Sequence, residues 1–264
     1  MARYLHGHHE SVLRAHRTRT ARNSAAYLLP SLRPTDRLLD IGAGAGTITA
    51  DLARSVGRIT ATEIGDDQLA IVRAELALRE VRNVDLRIAD IQRLPFADAS
   101  FDVAHAHQVL QHVPDPVGAL REMARVTRSG GIVAVRDSDY AGFCWWPRLP
   151  ALDHWLHLYR TVARATGGEP DAGRRLLAWA HAAGLEEVTA TSSTWCYATP
   201  EERAAWGGAW AERILDSTIA EQLTSRGLAT RGTLKEISDA WRAWAAAPDG
   251  WFSILHGEII HRVG

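Results

Sequence analysis

Three carboxylates and a glycine-rich stretch stand at a spacing that suits the binding of a nucleoside. Leu38-Leu39-Asp40-Ile41-Gly42-Ala43-Gly44-Ala45-Gly46-Thr47 puts glycines at alternate positions directly after a short apolar run. Glycine allows a tight turn and a close approach of backbone to ligand, and a helix starting there points its first N–H groups at the same spot. The dinucleotide fingerprint GxGxxG would need glycine or alanine at position 47, which is Thr47. A phosphate-cradling GxxxxGK[ST] is absent, and the single lysine is the distant Lys235. A GxGxG turn with an acid two residues before its first glycine favours a nucleoside without pyrophosphate. Glu63 and Asp90 each close a later apolar run. A carboxylate at Glu63 can accept from both ribose hydroxyls, and one at Asp90 from an adenine amino group.

Histidines supply the second kind of chemistry. His105 and His107 alternate along an apolar run, so they share one face, and His112 follows five residues later. An imidazole is the natural proton acceptor near neutral pH. His107, nearest the end of its run, is the first candidate for a general base and His112 the second. The same three residues have an HxHx4H spacing that could hold zinc in principle.

These residues require a framework of alternating strands and helices. Arg37–Ile41, Arg58–Thr62, Val84–Ala89, Phe101–Ala106 and Ile132–Arg136 read as buried parallel strands. Ile48, Leu52 and Val56, then Leu69, Val72 and Leu76, then Val117, Leu120 and Met123 mark the intervening helices, the last opened by Pro116. Such alternation predicts an α/β, doubly wound, mostly parallel Rossmann-like sheet, here of seven strands. Residues 8–29 read as one helix within an N-terminal cap (1–34). Residues 151–166 and 171–183 read as helices and Leu185–Cys196 as a strand. Residues 199–249 form a helical insertion or lid of about two helices, and Trp251–Arg262 the closing strand. The nucleoside-binding domain is then 35–198 with 250–264.

Residues 36–137 resemble a class I S-adenosylmethionine-dependent methyltransferase of the small-molecule group that includes the ubiquinone and menaquinone biosynthesis enzymes. LLDIGAGAGTIT resembles the first motif of that family and ATEIGDDQL its acidic second motif. ADIQRLPFADASFDVAHAHQVLQHVPDP resembles the adenine-contact loop, fourth strand and following turn, and REMARVTRSGGIVAVRD the next helix and strand. The resemblance implies that Asp40 and the turn of Gly42, Ala43, Gly44 and Gly46 hold the methionine portion of S-adenosylmethionine. It implies Glu63 on the ribose with Ile64 beside it, and Asp90 with Ile91 at the adenine. Gln68 stands where many relatives place an apolar residue against adenine. His107 would lie beside the sulfonium, at the position where metal-dependent relatives carry a carboxylate, so no metal is expected. S-adenosylhomocysteine would be the product.

Composition narrows the acceptor. Thirty basic and 31 acidic residues give a formal net charge of −1, which offers no polyanion-binding surface, so neither nucleic acid nor a membrane is an expected partner. No apolar run approaches the roughly 20 residues of a spanning helix. The N-terminus lacks a secretory apolar stretch, and the two cysteines, Cys144 and Cys196, form no CxxC, which together predict a cytoplasmic protein. All ten tryptophans follow residue 144. Trp206 with Trp210, and Trp241 with Trp244, are helical stripes that suit core packing, an aromatic pocket, or both. The expectation is methyl transfer to a small, apolar or aromatic metabolite, by a chain for which a homodimer is compatible. A methyltransferase-fold protein that catalyses a non-methylating reaction such as a cyclisation is the alternative. A nicotinamide-dependent oxidoreductase is disfavoured by Thr47.

Overall fold

The computed structural model describes residues 18–264. β1 (Arg37–Ile41), β2 (Arg58–Glu63), β3 (Val84–Ile88), β4 (Phe101–His107) and β5 (Thr127–Ser138) lie parallel in the order β3-β2-β1-β4-β5. Side-chain alternation along β1 sorts its residues between two cores. Leu39 and Ile41 pack with α4 (Pro116–Val126) and α6 (Leu176–Ala182). Leu38 packs on the opposite face with α1 (Ala21–Ser24) and α2 (Thr47–Leu52). α3 (Asp66–Leu78) buries Leu69, Val72 and Leu76, the apolar positions that mark it in the sequence. Pro116 opens α4 where a missing N–H costs nothing, and the Asp115 carboxylate accepts from Gly118 N at 2.8 Å to cap it.

Three antiparallel strands complete the sheet. β8 (Trp251–Arg262) inserts between β5 and β7 (Val188–Tyr197), and the short β6 (Cys144–Trp146) pairs with the first residues of β8. Among the described residues the sheet has the seven strands read from the sequence and one more. The additional one is a three-residue edge strand, too short to show a period.

The N-terminal reading needs correction. Residues 8–17 lie outside the described part. Within 18–29 the helix is a single turn, α1, because Thr20 is extended (φ −132°, ψ 161°) and caps a new start with Asn23. Ala25 leaves the helical region and a 3-10 turn follows over Leu29–Ser31. The second half also differs in detail. α5 (Pro150–Ala165) matches its expected span, but α6 begins only after a 3-10 turn over Gly173–Arg175. The 200–246 region holds three helices, α7 (Pro200–Asp216), α8 (Thr218–Ser225) and α9 (Arg231–Ala246). Ser217 is extended and its hydroxyl accepts from Ile219 N at 3.2 Å, which breaks the chain between α7 and α8. Among the described residues no helix is long and apolar enough to cross a membrane.

Tryptophans hold these helices to β8. Trp155 of α5 meets Trp210 of α7 at 4.6 Å and Trp241 of α9 at 4.8 Å, both edge-on, and Phe252 of β8 at 6.4 Å. All four are buried. Edge-to-face rings gain quadrupole attraction beyond their buried area. Trp155→Ala removes the ring shared by α5, α7, α9 and β8. Urea denaturation should show a loss of about 3–5 kcal/mol; a loss below about 1 kcal/mol would show that the cluster closes around the gap.

Candidate functional site

The carboxyl ends of β1, β2 and β4 open onto a cavity of about 330 Å³. The turn after β1 forms its floor. Gly42, Gly44 and Gly46 all take positive φ, at +68°, +60° and +79°. Gly42 N and Ala43 N donate to Thr62 O at 2.9 and 3.1 Å, so the turn hangs on the end of β2. A Cβ on Gly42 would meet Val109 Cγ2 at 2.7 Å, and one on Gly46 would meet Val72 at 3.1 Å. Gly42, Ala43 and Gly44 line the cavity, whereas Gly46 serves the close packing of α2 against α3.

The acids arrive from successive strand ends. Glu63 closes β2, lines the cavity, and accepts from Gly44 N at 2.6 Å. Asp90, just beyond β3, accepts from Gln92 N at 2.9 Å. Ile64 and Ile91 line the cavity beside them, Ile64 with 58% of its surface exposed. Gln68 also lines it, folding its amide against Gly65. Asp40 lines the floor, but its carboxylate is engaged, accepting from Thr49 Oγ1 at 2.6 Å and meeting His105 Nδ1 at 2.9 Å.

The histidines separate into three environments. His105 is tied to Asp40. His112, in a 3-10 turn (Leu110–His112), receives Gln111 Nε2 at 2.9 Å on its own Nε2, and Gln111 Oε1 in turn accepts from Ser138 Oγ at 2.7 Å. His107 ends β4, is buried, lines the cavity, and neither ring nitrogen has a hydrogen-bond partner among the described residues. Its ring lies 5.6 Å from Trp195 and 6.2 Å from His256. Among the described residues, no group of three or more His, Cys, Asp and Glu is placed to hold a metal ion.

Beyond His107 the wall comes from residues spread over several elements. Trp195 of β7, Trp206 and Arg213 of α7, Tyr140, Phe143 and Ile254 line this end, joined by Arg19. Arg19 Nη2 donates to Gln108 Oε1 at 2.8 Å, and Gln108 Nε2 lies 2.9 Å from His256 Nε2. This fixes His256 Nε2 as an acceptor, with its Nδ1–H donating to Ile254 O at 3.1 Å. The tryptophan stripes foreshadowed part of this wall. Trp210, Trp241 and Trp244 are core, while Trp206 faces the cavity. Arg213, Trp195 and His256 are brought in only by long-range pairing.

Comparisons with known proteins agree with this geometry. Residues 39–135 match a family model described as a methyltransferase domain. The chain is 33% identical to an uncharacterised methyltransferase of Schizosaccharomyces pombe, over 98% of this chain and 96% of that one. The YcgJ protein of Bacillus subtilis has the same fold, with a TM-score of 0.59 and 21% identity over 89% of this chain and 96% of that one. So does a Haemonchus contortus phosphoethanolamine N-methyltransferase, solved with S-adenosyl-L-methionine, at a TM-score of 0.53 and 16% identity over 86% of this chain and 49% of that one.

Burial sets the protonation states. It pushes Glu63 up from the usual carboxylate range, partly offset by the Gly44 N–H. It holds His107 and His256 well below 6.5, reinforced by the positive charges of Arg136 and Arg19. His112 is lowered to about 4, by burial first and Arg19 second. A histidine whose pKa is lower in the folded state binds its proton more readily when unfolded, so the folded state loses stability as pH falls from 6.5 to about 4. His112→Asn should flatten the fall in urea-unfolding free energy across that window by up to about 3 kcal/mol. Parallel pH–stability curves for the two proteins would contradict it.

Proposed function

Since the chain belongs to the class I S-adenosylmethionine-dependent methyltransferases, we propose that it methylates a small, apolar or aromatic molecule held between His107 and the Trp195–Trp206 wall. The observation that carries this reading is His107 itself. A buried imidazole with two unpartnered nitrogens, facing the cavity, costs free energy unless a ligand completes its hydrogen bonding.

The residues present fit the cofactor. The Gly42 backbone approaches where a Cβ would collide with Val109, leaving amide edge rather than side chain on the floor. Glu63 carries a carboxylate whose position suits a pair of ribose hydroxyls, and Asp90 with exposed Ile64 and with Ile91 suits a flat polar-edged base. Asp40 and His107 would then flank the methionine end, with Gly46 shaping the turn from behind. Gln68 supplies an amide at the rim in place of an apolar cover.

S-adenosylmethionine supplies an electrophilic methyl group on a sulfonium for in-line displacement, a reaction governed by proximity and orientation. The chain's contribution is to place the acceptor. Trp195, Trp206, Tyr140 and Phe143 give an aromatic wall against which a ring can lie. His107, held neutral, can accept a proton from the acceptor atom at physiological pH. His112, with its Nε2 occupied by Gln111, is better suited to orienting the loop than to taking that proton. Among the described residues, no charge run in the cavity wall suits a nucleic-acid backbone. The 200–246 helices, contributing Trp206 and Arg213, serve as the lid in this reading. Cys144 and Cys196 are free, in keeping with a reducing compartment, the cytoplasm.

Calorimetric titration of nucleoside-stripped protein tests the cofactor assignment. S-adenosylmethionine and S-adenosylhomocysteine should bind at micromolar Kd, about −8 kcal/mol, with no heat from NAD. Gly42→Val, which forces Cβ into Val109 at a left-handed φ, should abolish that binding; retained affinity would displace the cofactor from the glycine turn. His107→Ala should lower kcat at least tenfold while leaving S-adenosylhomocysteine affinity within twofold. In the parent enzyme the acid limb of kcat/KM should lie below pH 6.5, because protonation of His107 is what removes the base. An unchanged kcat in the alanine variant would make His107 a packing residue.

A further inference from the structure

The turn between β4 and α4 is a wall of the cavity: Gln108, Val109, Gln111, His112, Val113 and Pro114 all line it. Val109 bears on the glycine floor at Gly42, and Gln92 Nε2 donates to Asp115 O at 2.9 Å, joining the other end to the segment of Asp90. Gln108 takes a φ of +55°, a left-handed conformation that costs a glutamine free energy, so the turn depends on its anchors. Three consecutive residues of β5 provide them. Gln108 N donates to Arg136 O at 2.7 Å, Gln111 N to Asp137 Oδ1 at 3.1 Å, and Ser138 Oγ to Gln111 Oε1 at 2.7 Å.

Asp137 is the one anchor that can carry a charge on its accepting atom. It is fully buried, and its Oδ2 has no hydrogen-bond partner among the described residues. An asparagine would offer the same oxygen to the turn without a charge to bury. What the carboxylate adds is charge-assisted bonds to the turn, whose strength then depends on a proton. We propose that Asp137 is the positioning residue of this wall: its carboxylate, through the Gln111 and Leu110 amides, holds the turn in the shape that receives S-adenosylmethionine, and its protonation loosens it. This rests on the assignment of the cavity to that cofactor. Burial pushes the Asp137 carboxyl up to about 7, with the Gln111 and Leu110 N–H groups and Arg136 drawing it down, so both forms are present at physiological pH. Strand register puts Arg136, His107, Glu258 and His256 on the opposite face of the sheet. Around its own face His112 is engaged with Gln111, Arg174 with Asp139 and Arg175 with Glu169. The first turns of α4 and α6, residues 116–119 and 176–179, carry no charge.

The test is calorimetric titration of the full chain with S-adenosylhomocysteine at pH 6 and pH 8, in the parent and in Asp137→Asn. The variant mimics the protonated acid, so it should bind about fivefold more weakly than the parent at pH 8 and within twofold of it at pH 6. Other titrating groups, Glu63 among them, are common to both proteins and cancel in that comparison. A ratio between the two proteins that is the same at both pH values would leave Asp137 a structural residue only and overturn the proposal. Should the variant not fold, the parent alone carries the test through carbon-13 NMR of its aspartate carboxyls. A signal titrating near pH 7 in the free protein should be ionised at pH 7 once S-adenosylhomocysteine is bound, with release of about 0.4 proton. No such signal, or one that the ligand leaves unmoved, would overturn it. Absence of S-adenosylhomocysteine binding to the parent at both pH values would instead overturn the cofactor assignment, and this proposal with it.

Discussion

A single turn, taken by three glycines in the left-handed region, decides where the rest of the site can stand. A side chain at such a φ costs roughly 1–2 kcal/mol at each residue, and three together would straighten the turn or shift its neighbours. With φ positive at Gly42, Gly44 and Gly46, the chain leaves β1, hangs two amides on Thr62 O, offers Gly44 N to Glu63, and enters α2 within five residues. The same turn lets Val72 of α3 approach Gly46 closely. Asp40, just before the turn, then ties α2 to β4 through Thr49 and His105. The ends of β1, β2 and β4 are thereby fixed relative to one another, and with them the floor, Glu63 and His107.

The aromatic end depends on a different device, the antiparallel insertion of β8 between β5 and β7. Pairing on both edges places His256 beside Gln108 and brings Trp195 of β7 over His107. Trp195 Nε1 donates to Asn23 O at 2.6 Å, which ties the segment carrying Arg19 to the far strand. On the first residues of β8, Phe252 receives Trp145, Trp155, Trp241 and Trp244, so α5, α9 and the sheet share one apolar contact surface. One end of the cavity is therefore set by backbone geometry and the other by the packing of large rings. The first tolerates almost no substitution at its glycines; the second tolerates changes of ring type as long as volume is kept.

What could be read from the chain follows this division. The parallel strands, their helices and the acids at their ends were legible because each depends on spacing over a few residues: alternation within β1, the i, i+4 rows of α2 and α3, an acid after an apolar run. Gly46 was legible as a residue of the turn but not as a packing glycine, since Val72 is 26 positions away and no local pattern joins them. The single helix over 8–29 failed where it could be compared, because Thr20 and Asn23 form a capping box inside an otherwise helix-favouring run. Residues 8–17 of it lie outside the described part. Arg213 and His256 carry ordinary core or surface signals in sequence, and they become parts of a cavity only through the β5–β8–β7 pairing and the fold-back of α7.

The electrostatics of the aromatic end bear on how an acceptor could be activated. Burial first, then Arg136 and Arg19, disfavour an imidazolium at His107 and at His256, so both rings stay neutral. A base with a lowered pKa is available at every physiological pH but has little driving force to remove a proton from an unaided phenol or enol. The positive potential that weakens the imidazole as a base acts in the opposite sense on the acceptor, since it stabilises any oxyanion that forms beside it. The two effects offset each other in the transfer equilibrium. In the proposed reaction, His107 therefore receives a proton whose departure the arginines favour, and the charge that remains on the acceptor is the nucleophile. A neutral imidazole between the acids at one end of the cavity and the aromatic wall at the other is what the proposed transfer requires of His107.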